Sequence, residues 1–498
     1  MTASQPGAAA PRYLIPGAIA RRLGGGAIYL ERRVAVFLLF GFASGLPLGL
    51  VGETFRIWLT DAKIDMAVIG MTSLVGTAYS IKYLWAPVVD HLGLGALTRR
   101  FGRRRGWMLA MLAGMAVLAP VMALTGPGVS LALTVTLAVG IAFLSATFDI
   151  AVDAFRIELL SERQLAGGTA VHSAGWYLGA KFLAGFVTLT LAHELGWSVA
   201  YLLSAAGLAL GILAVLVTPE PVRRDEAEIA ERRADADAFL AGRPHLSPRA
   251  GRVLAMLYVM VAGPFVEMVR RFGGMLAVLL AFVIFFKFQD ALAGNLSGPF
   301  VRIIGYEKDV IGTIYKGFGL VAIFVGMFAG GLMMSWLGLV RALWVAAILQ
   351  ILSNLGFAWL AVMQELIAGA PGLAGLDSLG AGLTAQVSGH IVNAKLTWLA
   401  AAIGFENFAS GLGNVIFVVF LSKLVHNAYT ATQYALLSAF ALTARSFLAA
   451  PAGVLSNAVG WVDFFIISAL AGLPGLVLLW WIARRGLAGA PAGHAKDA

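Results

Sequence analysis

The sequence predicts an all-α polytopic membrane protein with about twelve transmembrane helices in two six-helix halves. Three observations carry that prediction. Of 498 residues, 60% are apolar and only 12% are charged, whereas an average soluble domain is about a quarter charged. Apolar runs long enough to cross a hydrocarbon layer of about 30 Å recur along the chain. The charged residues gather in the short joints between those runs.

Taken in order, the spans of the first half fall near 34–59, 67–90, 107–124, 131–153, 171–191 and 199–217. Those of the second fall near 273–300, 310–334, 336–363, 398–421, 430–456 and 461–483. Arg21, Arg22, Arg32 and Arg33 precede the first span. It lacks a small-residue cleavage pattern and so reads as a retained helix rather than a signal peptide. Further arginines crowd alternate joints: Arg99, Arg100, Arg103, Arg104 and Arg105, then Arg223/Arg224, Arg232/Arg233, Arg270/Arg271 and Arg484/Arg485. The intervening joints hold little more than Lys63, then Arg302 with Lys308, then Lys395. That alternation orients both termini toward the cytoplasm. It accounts for the net charge of +10 without nucleic acid.

The domain boundaries follow: a cytoplasmic segment 1–33, a bundle 34–218, a linker 219–272, a second bundle 273–483 and a tail 484–498. The linker is rich in mixed charge and ends in an amphipathic stretch, Val253 to Phe272, expected to lie along the inner surface. A Gly-, Ala- and Leu-rich stretch, 364–395, is expected outside the membrane between the ninth and tenth spans.

Several chemistries are excluded. There is no cysteine, hence no disulfide and no thiolate metal site. The seven histidines lack metal-ligand spacing. No GxxxxGK[ST] occurs, and no HExxH or GxSxG stands at a credible turn, so neither an ATP-driven pump nor an enzyme is indicated, and no cofactor is implied.

The halves repeat. Gly196-Trp197 aligns with Gly460-Trp461, and the same offset sets Lys181 opposite Arg445. Phe148-Asp149 lies opposite Phe405-Glu406, and Phe55-Arg56-Ile57 resembles Phe300-Val301-Arg302-Ile303. Parallel six-helix repeats around a central cavity are the construction of the major facilitator fold. Gly41, Gly45 and Gly49 permit close helix approach on the first span. Pro47, and Gly294, Gly298 and Pro299 on the seventh, are expected to interrupt their helices at matching places.

An ionisable group within the membrane costs a few kcal/mol on insertion scales, so it needs a partner, water or a task. Glu53 and Arg56 stand on the first span, Lys82 on the second, Asp149 and Asp153 on the fourth, and Lys181 on the fifth. Lys287 and Asp290 stand on the seventh, Lys316 on the eighth, Glu406 on the tenth and Arg445 on the eleventh. In a facilitator-like arrangement, spans one, four, seven and ten line the cavity, and all five acids fall there. Plainer readings stand beside this one. Glu53 and Arg56 can reach interfacial water, and Lys287 with Asp290 can form a self-neutralising structural pair. Asp153 and Arg156, with Asp90 and the GRRR loop, read as a conformational latch. Asp149, Lys181, Glu406 and Arg445 have no opposite charge one turn away on their own helices.

The run ERRVAVFLLFGFASGLPLGLVGETFRIWL, then IKYLWAPVVD, GRRRGW, SATFDIAVDAFRIELL, FKFQDALAG, GFENFASGLG and TATQYALLSAFALTAR resembles the AmpG-type muropeptide permeases, in order and through nearly all spans. The resemblance implies a facilitator-fold carrier of the bacterial inner membrane. Such a carrier imports GlcNAc-1,6-anhydroMurNAc-peptides with protons for peptidoglycan recycling and thereby feeds β-lactamase induction. By motif, Asp149 and Asp153 match the paired aspartates of the family's fourth helix, Lys287 and Asp290 its seventh-helix Lys-x-x-Asp, and Glu406-Asn407 its Glu-Asn. Where members usually read Gly-Tyr-Arg-Leu-Gly, this chain reads Gly175-Trp176-Tyr177-Leu178-Gly179, with Lys181 one turn beyond Tyr177.

The expected partners are therefore a sugar-peptide, protons and the lipid bilayer, with the chain acting as a monomer. Carboxylates of the cargo are expected at Lys82, Lys181, Lys287, Lys316 and Arg445, with Asn407 beside them. Its sugar face is expected against Tyr79, Trp176, Tyr177 or Phe288. Proton coupling is expected at Asp149 first, with Asp290 and Glu406 behind it, because burial and exposure change a carboxylate's affinity for protons. Gating is expected at Asp90, Asp153 and Arg156. Two other classes stay open: a carrier of another anionic sugar, peptide or acyl-CoA-like cargo, and a non-transporting membrane assembly factor.

Overall fold

The structure is a computed structural model. It describes residues 24–64, 72–221, 262–303, 317–369, 394–426, 429–449 and 451–485, with a few isolated positions besides. Lys316, residues 370–393 of the Gly-Ala-Leu stretch, most of the linker and the tail beyond 485 lie outside the described residues, as do the side chains of Glu53 and Arg445. Every extended element among the described residues is helical, and nine helices there are long and apolar enough to cross a membrane.

The chain divides into two compact units. The first comprises residues 1–264 together with 425–436; the second comprises 265–424 and 437–498. In the first unit, the first span runs Arg32–Asp61 and bends at Gly52, five residues beyond Pro47. Its glycines set its neighbour. A Cβ on Gly41, Gly45 or Gly49 would overlap backbone of His172, Trp176 and Ala180 on the fifth span, and one on Gly175 or Gly179 would overlap Leu38 and Phe42 in return. The two backbones therefore touch directly.

The second span differs from the expected unbroken helix. From Thr72 it proceeds as a 3-10 turn, a short helix Thr77–Ile81, a second 3-10 turn Lys82–Leu84 and a helix Ala86–His91. Pro87 lacks an N–H and is tolerated only in the first turn of a helix, so the helix restarts there. The fifth span is longer than its apolar stretch, Glu162–Leu195, because Ser161 and Gln164 form a capping box that begins the helix in polar sequence. Its middle, Leu178–Val187, is π-helical.

In the second unit the seventh span is continuous from Met275 to Ile303. The interruption expected at Gly294 to Pro299 is absent. The eighth and ninth spans share the stretch Gly319–Gly369, kinked at Gly338, and the tenth runs Ala394–Leu424. The eleventh is Thr430–Ala449, followed by Ala452–Val459 and the twelfth-span helices Trp461–Leu470 and Leu473–Arg484.

The repeat is visible in three dimensions. Gly196 and Gly460 hold the same left-handed conformation (φ 82° and 81°) immediately before Trp197 and Trp461. Each tryptophan then enters an aromatic cluster: Trp197 with Trp58 and Tyr201 in one unit, Trp461 with Phe300 and Phe465 in the other.

Candidate functional site

The first unit gathers polar and charged groups from three spans into a buried array. Ser44, in the Gly-rich first span, donates to Asp149 Oδ1 at 2.5 Å. Four residues on, and on the same face of the fourth span, Asp153 is paired twice, with Arg156 at 3.1 Å on its own helix and with Lys82 at 3.7 Å from the second span. Lys82 also acts on Asp149, as does Tyr79. The short 3-10 turn at Lys82–Leu84 thus starts at the lysine that serves both acids.

A second array lies nearer the arginine-rich loop. The third span, Arg103–Val129, opens on three arginines, the wrong sign for a helix N-terminus. Glu220 corrects this by accepting from the backbone N–H groups of Arg104 and Arg105 at 2.8 and 3.0 Å. Partial burial pushes the Glu220 carboxyl above its ordinary range, and those two N–H groups oppose the shift. The Arg104 guanidinium, 1% exposed, is divided between Glu158 at 2.5 Å and Asp90 at 2.8 Å. Asp90 then reaches the segment 425–436. It accepts from the backbone N–H of Ala431 and Thr432 at 3.2 and 2.7 Å and from the Thr432 hydroxyl at 2.7 Å. A remote carboxylate thereby satisfies first-turn donors of the helix Thr430–Ala449. Arg103 donates to the Asp90 carbonyl. Two residues further along the same segment, the Tyr434 hydroxyl accepts from Arg156 at 3.1 Å. Asp90 and Arg156 therefore grip one short stretch of chain.

In the second unit, Lys287 and Asp290 form a 3.1 Å pair within one helix, and Gln350 donates to the same Asp290 oxygen at 2.9 Å. Asn407 donates to Glu406 at 2.9 Å and to the Ile403 carbonyl. Phe288 packs against a buried apolar cluster that includes Phe300, Phe357 and Phe464. Trp176 and Tyr177, in the first unit, meet edge to face at 5.2 Å, and Lys181 is exposed on the π-helical stretch.

The structure thus brings together Tyr79, Lys82, Asp149, Asp153 and Arg156 in one array, and Lys287 with Asp290 in another. Arg104 joins them from the GRRR loop already read as part of the latch, and Glu158, Glu220, Ser44, Tyr434 and Gln350 join without having been singled out from sequence. The GRRR loop was the available signal for Arg104; the others are ordinary polar residues whose partners lie far along the chain. Among the described residues, no group of three or more His, Asp or Glu could hold a metal ion.

Buried charges on helices long and apolar enough to cross a membrane suit a carrier, and comparison with known proteins agrees. The sequence profile of the Major Facilitator Superfamily matches residues 34–418, and the chain is a membrane transporter of that superfamily. Within it, the chain belongs to the AmpG-type muropeptide permeases. The Anhydromuropeptide permease of Escherichia coli (strain K12) is 34% identical over 454 residues, which is 91% of this chain and 80% of that protein. The "Putative transporter AmpG 4" of Rickettsia felis is 29% identical over 92% of this chain and 98% of its own length. Two solved structures, the proton:xylose symporter XylE and FucP in the outward conformation, match with TM-scores of 0.54 and 0.56 over 91% of this chain and 94% and 99% of theirs. At 15% and 14% identity these two show the fold alone.

Proposed function

We propose that the protein imports anhydromuropeptides (GlcNAc-1,6-anhydroMurNAc-peptides) across the bacterial inner membrane together with protons, by alternating access, supplying peptidoglycan recycling and β-lactamase induction. The observation that carries this reading is the 34% identity to an anhydromuropeptide permease along 91% of the chain. The termini face the cytoplasm, consistent with the arginine-rich joints, and the working unit is a monomer. Asp149 carries the proton, with Asp290 and Glu406 as further acids. Lys82, Lys181, Lys287, Lys316 and Arg445 receive the carboxylates of the peptide stem, with Asn407 beside them. Tyr79, Trp176, Tyr177 and Phe288 offer flat surfaces to the sugars. Asp90, Asp153 and Arg156 hold the segment 431–434 when the transporter is closed at that end and release it when it opens.

The test is uptake of radiolabelled anhydro-disaccharide tripeptide into right-side-out vesicles, with and without a protonophore. Accumulation that the protonophore abolishes is the expected result. Absence of uptake by a well-folded preparation would overturn the cargo. The neutral Tyr177 at the centre of the fifth span favours a second reading, another anionic sugar, peptide or acyl-CoA-like cargo, and competition by such compounds distinguishes it.

A further inference from the structure

His172 lies on the fifth span where that helix meets the first: its carbonyl is the group that a side chain at position 41 would strike. The charges acting on its ring are Arg156 and Asp153 of the fourth span and Lys82 of the second. Yet its Nε2 is buried and has no hydrogen-bond partner. Arg156 is in a similar position. One terminal nitrogen is shared by Asp153 and Tyr434, each at 3.1 Å, while its Nε is buried and unpartnered. Lys82 completes the set at 3.7 Å from Asp153, a long ion pair.

Buried donors are almost always paired, and these two stand beside a loosely held ammonium. The nearby acids do not fill the gap: Asp149 is taken up by Ser44, and Asp153 is already divided between two cations. What the cluster lacks is an acceptor with two oxygens. A carboxylate supplies that, and a guanidinium edge is shaped to receive one.

We infer that Lys82, Arg156 and His172 form a carboxylate-binding subsite for the cargo, with His172 as its specificity-determining residue. This rests on the proposed reading of an anionic sugar-peptide as cargo, and it gives Arg156 a second task besides gating. In the present conformation Tyr434 covers the guanidinium, its ring centre 5.7 Å away. Departure of Tyr434 frees one N–H of that terminal nitrogen, the other staying on Asp153, so the subsite opens as the latch releases. With its hydrogen on Nε2, His172 donates to one carboxylate oxygen while Arg156 serves the other.

Two measurements decide it. The first does not depend on the cargo. Because the chain has no cysteine, His172→Cys creates a single thiol in the full-length protein. Methanethiosulfonate reagents of opposite charge are applied to vesicles, and each rate is divided by that reagent's rate with a free thiol. The anionic ethylsulfonate reagent is expected to react at least about tenfold faster than the cationic ethyltrimethylammonium one. Arg156→Met and Lys82→Met should erase the preference. A preference for the cation, or no reaction with either reagent, overturns the subsite.

The second measurement titrates the purified protein with anhydro-disaccharide tripeptide and with its stem amidated. His172→Leu should weaken the acid form about tenfold and leave the amidated form unchanged, with His172→Gln intermediate. Equal losses on both ligands overturn the inference. If the native protein binds neither ligand, the muropeptide reading fails, and the thiol rates alone decide the subsite.

Discussion

The two units hold their buried charges in different ways. In the first, Asp153 is shared between Arg156 on its own helix and Lys82 on another, and Arg104 is shared between Asp90 and Glu158, which also lie on separate elements. In the second, Lys287 and Asp290 are three residues apart on one helix. A pair within a helix travels as a rigid body and gives no signal when helices move. A pair between helices is made or broken by that motion, so its charges report the conformation and bias it. Under the proposed gating the first unit is the responsive element, and the seventh-span pair, steadied by Gln350, responds less to helix motion.

The largest expected effect tests this division directly. Asp149→Asn should lower protonophore-sensitive accumulation at least about 100-fold, near 2.7 kcal/mol, while exchange of labelled for unlabelled cargo persists. Replacing Lys287 and Asp290 together by Met and Asn removes one cargo contact and a secondary acid and should cost about tenfold in the same vesicle assay. Comparable losses from both would reverse the comparison.

Stability should separate the units as well. Asp90→Ala leaves the buried Arg104 with Glu158 alone and uncaps the helix Thr430–Ala449. Losing one of Arg104's two partners together with the helix cap should cost about 2–4 kcal/mol, measurable as a fall in thermal midpoint in detergent. Lys287→Met should cost less, because Gln350 still donates to Asp290.

These partners also mark where the sequence stops being legible. The spans were readable because a lipid environment leaves long apolar runs, and the repeat was readable through Gly196-Trp197 and Gly460-Trp461. Asp90, Asp153 and Arg156 stood out with the GRRR loop as a latch, but their partners Thr432 and Tyr434 did not. Asp90 reaches Thr432 across 342 positions, and a contact at that distance leaves no local pattern. Ser44 and His172 are polar residues of ordinary kind in Gly- and Ala-rich helices, and only packing shows what they face. The second span failed for another reason: hydropathy records burial, not the backbone, and so cannot report that a helix restarts at Pro87. At the fifth span the error had the opposite sign, since the capping box at Ser161 and Gln164 is polar and read as a joint.

The glycine contacts sharpen the comparison by showing what the units share. Gly45→Ala would press into the Trp176 backbone, and Gly326→Ala, on the eighth span, into the Phe408 carbonyl of the tenth. Each should cost about 1–3 kcal/mol by overpacking. Gly294, with open space around its Cβ position, is the control. In a continuous helix, Gly294→Ala should be neutral or stabilising by about 0.5–1 kcal/mol. A destabilised Gly294→Ala would indicate that the seventh span bends there in another state.

The smallest effect concerns Glu220, whose carboxylate caps the arginine-rich start of the third span. Its affinity for protons is raised in the folded chain, burial being the largest cause. The folded state therefore binds this proton more tightly than the unfolded chain does. The contribution to stability is fully present below the ordinary glutamate range and is lost as pH rises through the elevated folded value. Glu220→Gln keeps an acceptor for one of the two N–H groups but removes the titration. Its thermal midpoint should vary less than the wild type's between mildly acidic and neutral pH, and should lie slightly below the wild type's at the acidic end, where the native group is protonated but still accepts. An unchanged pH dependence would mean that the two backbone donors balance burial at this site, so that the charge of Glu220 is as welcome there as it is in water.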